Sequence, residues 1–443
     1  MRVLSTGEKI RQLRLDLGLN QDDLTNDEIT RSLISMIENN KRSLTYKTAK
    51  VIASTLNQYY QNLGKEITPD FLLESELEQA ERLVKERLEE IQKLLKSSAP
   101  GNEAAVERHI DKLIQFAEEW ELYRIIPELI ESRGRFYYKT YLYNEALIDL
   151  FKAQELYLKQ QRYDKIVSLY NLMGVIHNAL GLYDQAIIYL DQCDLVLEQT
   201  IPNNYDRIKM LSIYNRTLSF RYLKRHDLSL KEIAKFKQLA YQEERIYHQL
   251  LIMEGNTYRD LKNYEKAQKI YDKLLKKGTR LNPYVSFLAY DNYADIFYDK
   301  GQYEKCLEYK ELALKYSYES EPINTAKTLY MVAKVNVHLR EFEQAVLQIH
   351  KAMLLAETLN NFKVILELQL LLIDIQIHKA EYAVAERSLQ KLERFVVENQ
   401  LMENMSDVYA YSVKLYIGVG DGEKSQLYLT RLLNQRQNLC YVL

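Results

Sequence analysis

After residue 103 the sequence repeats itself about every forty residues, and this periodicity limits the possible folds more than any other feature. Each repeat carries an aromatic side chain three residues before a small one. The clear copies are Tyr143 with Ala146, Tyr183 with Ala186, Tyr264 with Ala267, Tyr303 with Cys306, Phe342 with Ala345 and Tyr382 with Ala385. Weaker copies place Leu230 and Ser425 in the small-residue position, so the intervals are 40, 44, 37, 39, 39, 40 and 40 residues.

A second small residue precedes the first by twelve positions in five repeats. These residues are Gly134, Gly174, Gly255, Ala294 and Ala333. Paired small residues allow the two helices of a hairpin to approach closely. The pattern resembles the tetratricopeptide repeat, although that repeat is usually shorter, at ~34 residues. We therefore expect an all-α, right-handed α-solenoid of about eight to nine hairpins over residues 103–443.

Residues 1–60 predict a separate run of short amphipathic helices. Ile10, Leu13 and Leu17 give the first helix its apolar stripe, and residues 21–24 form a short second helix. Thr30 can cap the third helix, which turns Leu33, Ile34 and Ile37 inward, and a fourth begins near Thr45. Residues 61–102 form a linker, in which one helix starts at Pro69 and runs to about Lys96, before Ser97–Gly101.

The first sixty residues resemble the lambda-repressor/Cro-type helix-turn-helix. The resemblance rests on residues 7–14, 20–24 and 34–42, although the second helix is short and acidic and Thr25 stands where that family commonly has alanine. It implies that the third helix enters the major groove of double-stranded DNA and that a homodimer binds a near-palindromic site. The implied DNA-binding residues are Gln21, Arg31, Ser32, Ser35, Asn39, Lys41 and Arg42.

Within that set, Arg31, Ser32, Ser35 and Asn39 lie opposite the apolar stripe and suit contacts with base edges. The resemblance assigns Gln21 to a phosphate, and Lys41 and Arg42 add charge for the DNA backbone. A small helical cap with an ordinary polar surface is the alternative. Residues 1–60 hold nine Lys/Arg and seven Asp/Glu, and the whole chain has a net charge of −2, so any attraction to DNA must be local.

A helix-turn-helix followed by degenerate forty-residue repeats resembles the RRNPP family of Gram-positive quorum-sensing regulators. The resemblance implies that a secreted, re-imported oligopeptide binds in the concave groove of the solenoid and rearranges the dimer. By repeat register, the residues that line this groove are Asn171, Asn178, Asn215, Ser219, Tyr222, Asn256, Arg259, Asp260, Asp291, Asp295, Tyr298, Asp299 and Lys334.

Two patterns in this groove suggest chemistry. Asparagines that recur at one-repeat spacing can pair with both backbone groups of an extended peptide. Asp291, Asp295 and Asp299 stack at i, i+4 and i+8, which is mildly destabilising unless a cation compensates. That cation could be a basic group or the free amine of the peptide. Alternatively, Lys300 or a neighbouring helix screens a solvated acidic face.

The sequence offers no catalytic, phosphate-binding or metal-binding motif, so we expect no enzyme activity, cofactor or metal. Three scattered cysteines and no apolar segment of membrane-spanning length predict a cytoplasmic protein without membrane contact. Two other functions remain open. The repeats could sequester a protein partner such as a response regulator, or they could only dimerise a constitutive DNA-binding protein.

Overall fold

The structure, a computed structural model, describes residues 2–60, 66–96, 103–239, 243–276, 278, 281–317, 322–399 and 401–440. Within these ranges every regular element is a helix, apart from one antiparallel bridge between Asn26 and Ile29. The all-α prediction is confirmed. No helix in the described ranges is both long and apolar enough to cross a bilayer. The chain divides into two units, residues 1–215 and 216–443.

The N-terminal helices follow the predicted order. They are α1 (Thr6–Asp16), a 3₁₀ turn (Gln21–Leu24), α2 (Arg31–Glu38) and α3 (Tyr46–Tyr60). The Ser5 hydroxyl accepts from the N–H of Glu8, and Thr30 caps α2 in the same way by accepting from the N–H of Leu33. The apolar stripes meet in one buried core that contains Ile10, Leu24, Ile34, Ile37, Ala49, Ile52, Ala53 and Leu56.

The linker differs from the single predicted helix, because the chain forms α4 (Pro69–Leu73) and then α5 (Glu76–Lys96). The interruption arises at Ser75, which begins a new helix: its hydroxyl accepts from the N–H of Glu78, and the Glu78 carboxylate accepts from the N–H of Ser75. Residues 61–65 and the predicted stop at 97–101 lie outside the described residues.

Helical hairpins follow in both units. The first unit contains α6 (Glu103–Glu119), α7 (Ile126–Lys139), α8 (Tyr143–Lys159), α9 (Tyr163–Ala179), α10 (Tyr183–Thr200) and the start of α11 (Tyr205–Tyr222). The second unit contains the rest of α11, α12 (His226–Lys237), α13 (Glu244–Asp260), α14 (Tyr264–Leu275), α15 (Pro283–Asp299), α16 (Tyr303–Leu314), α17 (Pro322–His338), α18 (Phe342–Thr358), α19 (Phe362–His378), α20 (Tyr382–Glu398), α21 (Met405–Val419) and α22 (Gly422–Cys440). The long run of hairpins resembles a tetratricopeptide solenoid, as predicted.

The paired small residues lie at the contact between the helices of a hairpin. A Cβ atom on Gly174 would stand 2.7 Å from Cγ of Leu190, which is too close for an unstrained contact. Ala186 is completely buried at the opposing position. One predicted small position is wrong: Ser229, and not Leu230, is the third residue after the start of α12, and it is completely buried.

Each predicted hairpin turns through a left-handed residue two positions before its second helix. Glycine takes this conformation in three of the turns, at Gly181, Gly301 and Gly420. Elsewhere a residue with a side chain takes it, such as Lys262 at φ +58° or Arg340 at φ +62°. Left-handed backbone is unfavourable for residues other than glycine, so the packing of the two helices must stabilise these turns.

Candidate functional site

A buried ion pair holds the helix-turn-helix together. Arg14 on α1 and Glu38 on α2 have side chains that are 8% and 2% exposed, and Nε of Arg14 lies 2.7 Å from Oε1 of Glu38. A second bond joins Nη2 to Oε2 at 2.9 Å. Burial alone would raise the pKa of the Glu38 carboxyl, but hydrogen bonds from Arg14 and Gln21 lower it below its ordinary value. The charged pair therefore fixes α1 against α2.

Gln21 belongs to this structural network and not to the open surface. Its Nε2 donates to Oε2 of Glu38 at 2.7 Å, and the residue is half-buried. The amide carries two N–H groups, so one can bind Glu38 while the other is directed to a phosphate. The phosphate contact at Gln21 stays a prediction.

The N-terminal end of α2 presents the predicted base-reading residues. Arg31 and Ser32 are exposed, and Ser35 is half-buried one turn further along. Nη1 of Arg31 lies 3.3 Å from Oδ2 of Asp22, but the two side chains are 67% and 61% exposed. An exposed pair of this kind contributes at most ~1 kcal/mol, so Arg31 can exchange Asp22 for a base edge at little cost.

Asn39 lies at the other end of α2 from Arg31 and Ser32, and it has a structural role there. It is the C-terminal cap of α2, and its Nδ2 donates to the Ser35 carbonyl at 2.7 Å. It lies eight residues beyond Arg31, which separates the two by ~12 Å along the helix. The predicted set thus divides between the N-terminal end of α2 and its C-terminal end, which leads to Lys41 and Arg42, both exposed.

The start of α3 adds exposed residues that the sequence analysis did not single out. Tyr46 is 59% exposed at the first position of α3, and Lys50 is exposed one turn later. Lys47 is also exposed and pairs with Glu28 at 3.1 Å. A hydroxyl and two ammonium groups at the start of this helix are of a kind that binds the phosphates of a DNA backbone. The four basic residues between positions 41 and 50 of the sequence could have indicated this surface.

Three predicted groove asparagines meet in the first unit. Nδ2 of Asn215 donates to Oδ1 of Asn171 at 3.2 Å, and Nδ2 of Asn178 donates to the Asn215 carbonyl at 3.0 Å. Asn215 is only 7% exposed, whereas Asn171 and Asn178 are half-buried. The ladder is therefore a connected amide cluster on α9 and α11, and part of its hydrogen-bonding capacity is used internally.

The second unit holds a charged network where the acidic stack was predicted. Lys310, 1% exposed, donates to Oδ1 of Asp291 at 2.8 Å and to Oδ1 of Asp295 at 2.7 Å. Arg259 from α13 binds the other oxygen of Asp295, and Thr328 on α17 donates to Asp291 at 2.7 Å. Of the two explanations for the stack, the neighbouring helix supplies the cation for Asp291 and Asp295.

Lys310 was missed, yet the sequence contained a signal for it. It follows the small residue of its repeat by four positions, where other repeats place Leu150, Leu190, Ile349 and Leu389. All four are buried and apolar. A lysine at such a position must find carboxylates, because an unpaired buried charge is strongly unfavourable.

Asp299 has weaker compensation than the rest of the stack. Nε of Arg259 lies 3.8 Å from its Oδ2, and its side chain is 38% exposed. Burial and the nearby Asp295 and Asp260 raise the pKa of Asp299, while Arg259 opposes them. Asp260 itself binds Arg221 at 2.8 Å. Asp299 is thus the member of the stack best placed to receive a further cation.

The other predicted groove residues in the second unit differ in exposure. Ser219 is completely buried, so the prediction that it lines an open groove is wrong for this conformation, whereas Tyr222 is 53% exposed. Asn256 is 7% exposed and accepts from the hydroxyl of Tyr271. Tyr271 occupies the same apolar repeat position as Lys310, and the side chain of a larger residue at Gly255 would clash with it.

An aromatic cluster lies beside Asp299. The Nζ of Lys334 stands 5.3 Å from the ring centre of Tyr298, and the Tyr298 hydroxyl is 3.0 Å from Nε2 of His338. The ring of His338 stacks on Tyr303 at 5.0 Å. A polar tip and a flat ring on the same surface can hold both an amide and an apolar side chain.

The first unit also contains a cavity of about 570 Å³ that the sequence did not indicate. Gln92 and Leu95 at the end of α5 form one wall, and Arg135 on α7 and Ser168 on α9 form another. Acidic and basic side chains both line it. A molecule in this cavity would therefore touch α5 and the repeats at the same time.

Comparison with known proteins agrees with these two parts of the chain. A family model described as a helix-turn-helix domain matches residues 7–73, and one described as a tetratricopeptide repeat matches residues 167–195 and 248–276. The apo form of the quorum sensor NprR from B. thuringiensis has 20% identity and a TM-score of 0.53, with 80% of this chain and 99% of that chain covered. The chain thus combines a helix-turn-helix domain with tetratricopeptide repeats, and its fold resembles that of the apo NprR structure.

Two further solved structures are more distant in shape. NprR in complex with its cognate peptide NprX has 17% identity and a TM-score of 0.44, covering 97% of this chain and 98% of that one. Bacillus thuringiensis PlcR in complex with the peptide PapR7 and DNA has 18% identity and a TM-score of 0.32, covering 70% and 98%. No curated protein matches the chain.

Proposed function

We propose that this protein is a cytoplasmic transcription regulator that binds DNA as a homodimer and responds to a short signalling peptide held by its repeats. The observation that best supports this proposal is the presence of a helix-turn-helix and a helical-repeat region in one chain. A helix-turn-helix leaves Arg31 and Ser32 exposed on a braced helix, and a long run of hairpins with the fold of a quorum sensor follows it.

On the DNA side, each exposed group has a distinct role. Arg31 makes a two-pronged contact with guanine, and Ser32 and Ser35 read neighbouring base edges. Lys41, Arg42 and the residues at the start of α3 bind phosphates and set the register of α2 in the groove. Two copies supply the two half-sites of a near-palindrome.

On the peptide side, we propose a contact surface in the second unit formed by Arg259, Asp260, Tyr298, Asp299 and Lys334. Asp299 would receive a basic side chain or the free amine of the peptide, since its ion pair with Arg259 is long, at 3.8 Å. Asp291 and Asp295 would support this surface by holding Lys310 and Arg259 in place. The half-buried Asn171 and Asn178 offer amides for a peptide backbone in the first unit.

Selection of DNA from a random pool by the purified protein tests the DNA side. We expect a near-palindromic consensus, and Arg31→Ala should cost about 1–3 kcal/mol and relax the preference for one guanine in each half-site. Arg87→Ala is the matched control, because Arg87 is an exposed arginine on α5 whose ion partner is Glu90 within the same helix. A pool that yields no consensus would overturn the proposal.

The proposed peptide binding is tested with fractions of the culture medium of the organism that makes this protein. The purified protein should bind one peptide fraction, seen as a rise in melting temperature, and Asp299→Asn should abolish that rise for a basic peptide. Glu265→Gln, an exposed acid on α14, is the control. A rise that Asp299→Asn leaves unchanged would remove Asp299 from the peptide site.

A further inference from the structure

A buried lysine joins the DNA-binding helices to the linker. Lys9 lies on α1, and its side chain is 3% exposed. Its Nζ donates to the carbonyls of Phe71 at 2.9 Å and Glu74 at 3.1 Å, and it lies 3.3 Å from the Glu74 carboxylate. Its three ammonium hydrogens therefore have three acceptors, all on the segment where α4 ends.

The chemistry of that segment explains why a lysine can be buried there. The last carbonyls of a helix lack partners within the helix and carry partial negative charge, so an ammonium group stabilises them. Glu74 adds a full charge and is itself held by Arg82 on α5, at 2.8 Å from Nε. Burial lowers the pKa of Lys9, and Glu74 opposes that effect. The same cluster thus contains residues of α1, the α4 end and α5.

A second contact lies on the same side of α5. The N–H of Leu4 donates to Oε1 of Gln79 at 2.7 Å, and Gln79 is 6% exposed. Beyond this point α5 buries Ala80, Val84, Leu88 and Ile91 in the core of the first repeats, and its end lines the 570 Å³ cavity. One helix therefore runs from the contacts with the DNA-binding domain to the repeats.

We infer that Lys9 is a positioning residue that fixes the DNA-binding helices on α5, so that α5 determines where α2 points and how far apart two half-sites must be. This inference rests on the proposed function for its DNA consequence, but the mechanical link can be measured without DNA. Lys9 would not touch DNA, because its side chain is buried between α1 and the end of α4. Replacement of Lys9 should therefore weaken the control of half-site spacing without removal of any contact with DNA.

The mechanical link is tested by a distance distribution between two spin labels in the full chain. Labels at Lys50→Cys on α3 and Glu89→Cys on α5, with the native cysteines replaced and labelled protein diluted in unlabelled protein, should give one narrow distance peak. Lys9→Met should at least double the width of that peak. Lys85→Met is the control, because Lys85 is 59% exposed and its ion partner, Glu81, lies one turn away on the same helix. An unchanged width in Lys9→Met overturns the inference.

The DNA consequence is tested with paired half-sites whose separation changes one base pair at a time. Wild type should prefer one separation at least ~10-fold over a separation half a helical turn, ~5 base pairs, away. In Lys9→Met this preference should fall below threefold, with single half-site affinity within twofold of wild type. Retained preference overturns the inference. If wild type binds no half-site, the proposed function fails while the spin-label result still decides the role of Lys9.

A second variant covers the case in which Lys9→Met does not fold. Glu74→Gln keeps the two carbonyl acceptors of Lys9 but removes the carboxylate that faces both Lys9 and Arg82, so it should broaden the distance peak without loss of helicity. A peak as narrow as that of wild type in folded Glu74→Gln would contradict the inference.

Discussion

Replacement of Lys310 by methionine is the sharpest test of the charged network in the second unit. Methionine fills nearly the same volume but removes an ammonium that is 1% exposed and satisfies Asp291 and Asp295 at 2.8 and 2.7 Å. Removal of one partner of a buried ion pair costs about 3–5 kcal/mol, because the other charge stays buried. Arg259 and Thr328 still bind one oxygen of each aspartate, so we expect a value near the lower end, about 3 kcal/mol.

Urea unfolding followed by circular dichroism measures this loss. Lys269→Met is the control, an exposed lysine on α14, and it should change the free energy of unfolding by less than ~0.5 kcal/mol. The double variant with Asp291→Asn should recover part of the loss, because no carboxylate remains at position 291 and Asp295 keeps Arg259 as its partner. A loss below ~1 kcal/mol in Lys310→Met would refute the argument that Lys310 compensates the acidic stack.

Three further predictions concern the stability of the fold. Gly174→Ala should destabilise the protein by about 1–3 kcal/mol in urea unfolding, because its Cβ would stand 2.7 Å from Leu190, whereas Gly422→Ala, with open space around it, should not. Arg340→Gly should raise the free energy of unfolding by about 1 kcal/mol, since φ is +62°; a loss would contradict this. Because the pKa of Glu38 is lowered in the folded protein, its contribution to the free energy of unfolding is present above pH ~4.5 and is lost as the pH falls. The stability advantage of wild type over Glu38→Gln should therefore shrink in acid. A difference that stays constant with pH would contradict the role of the ion pair.

The repeat period was sufficient to predict the hairpins and most of their close contacts, because a small residue at a helix crossing is a local steric requirement. The prediction from the repeat period was wrong by one residue at Ser229, because it placed Leu230 in the small-residue position. The prediction of a single linker helix was also wrong, because a local helix start interrupts it. A serine and a glutamate three residues apart can begin a helix inside a longer helical pattern, and at Ser75 they do.

The site was less predictable because its chemistry depends on partners that are distant in sequence. Asn215 and Asn178 were expected to face a ligand, yet they bind each other's helices across 37 residues. Register alone does not show that Lys310 reaches Asp291, or that Gln21 donates to Glu38. Lys9 was invisible in the sequence for the same reason, since its acceptors are 62 and 65 residues away.

Genome-wide binding and footprinting with purified protein, with and without the growth medium of its own cells, tests the central claim most directly. The account predicts a near-palindromic site whose occupancy changes when the medium is added. Specific binding that ignores the medium would contradict the peptide response and leave repeats that only dimerise a DNA-binding protein. If no specific site appears in either condition, the regulator proposal fails, and a scaffold that sequesters a protein partner becomes the better explanation.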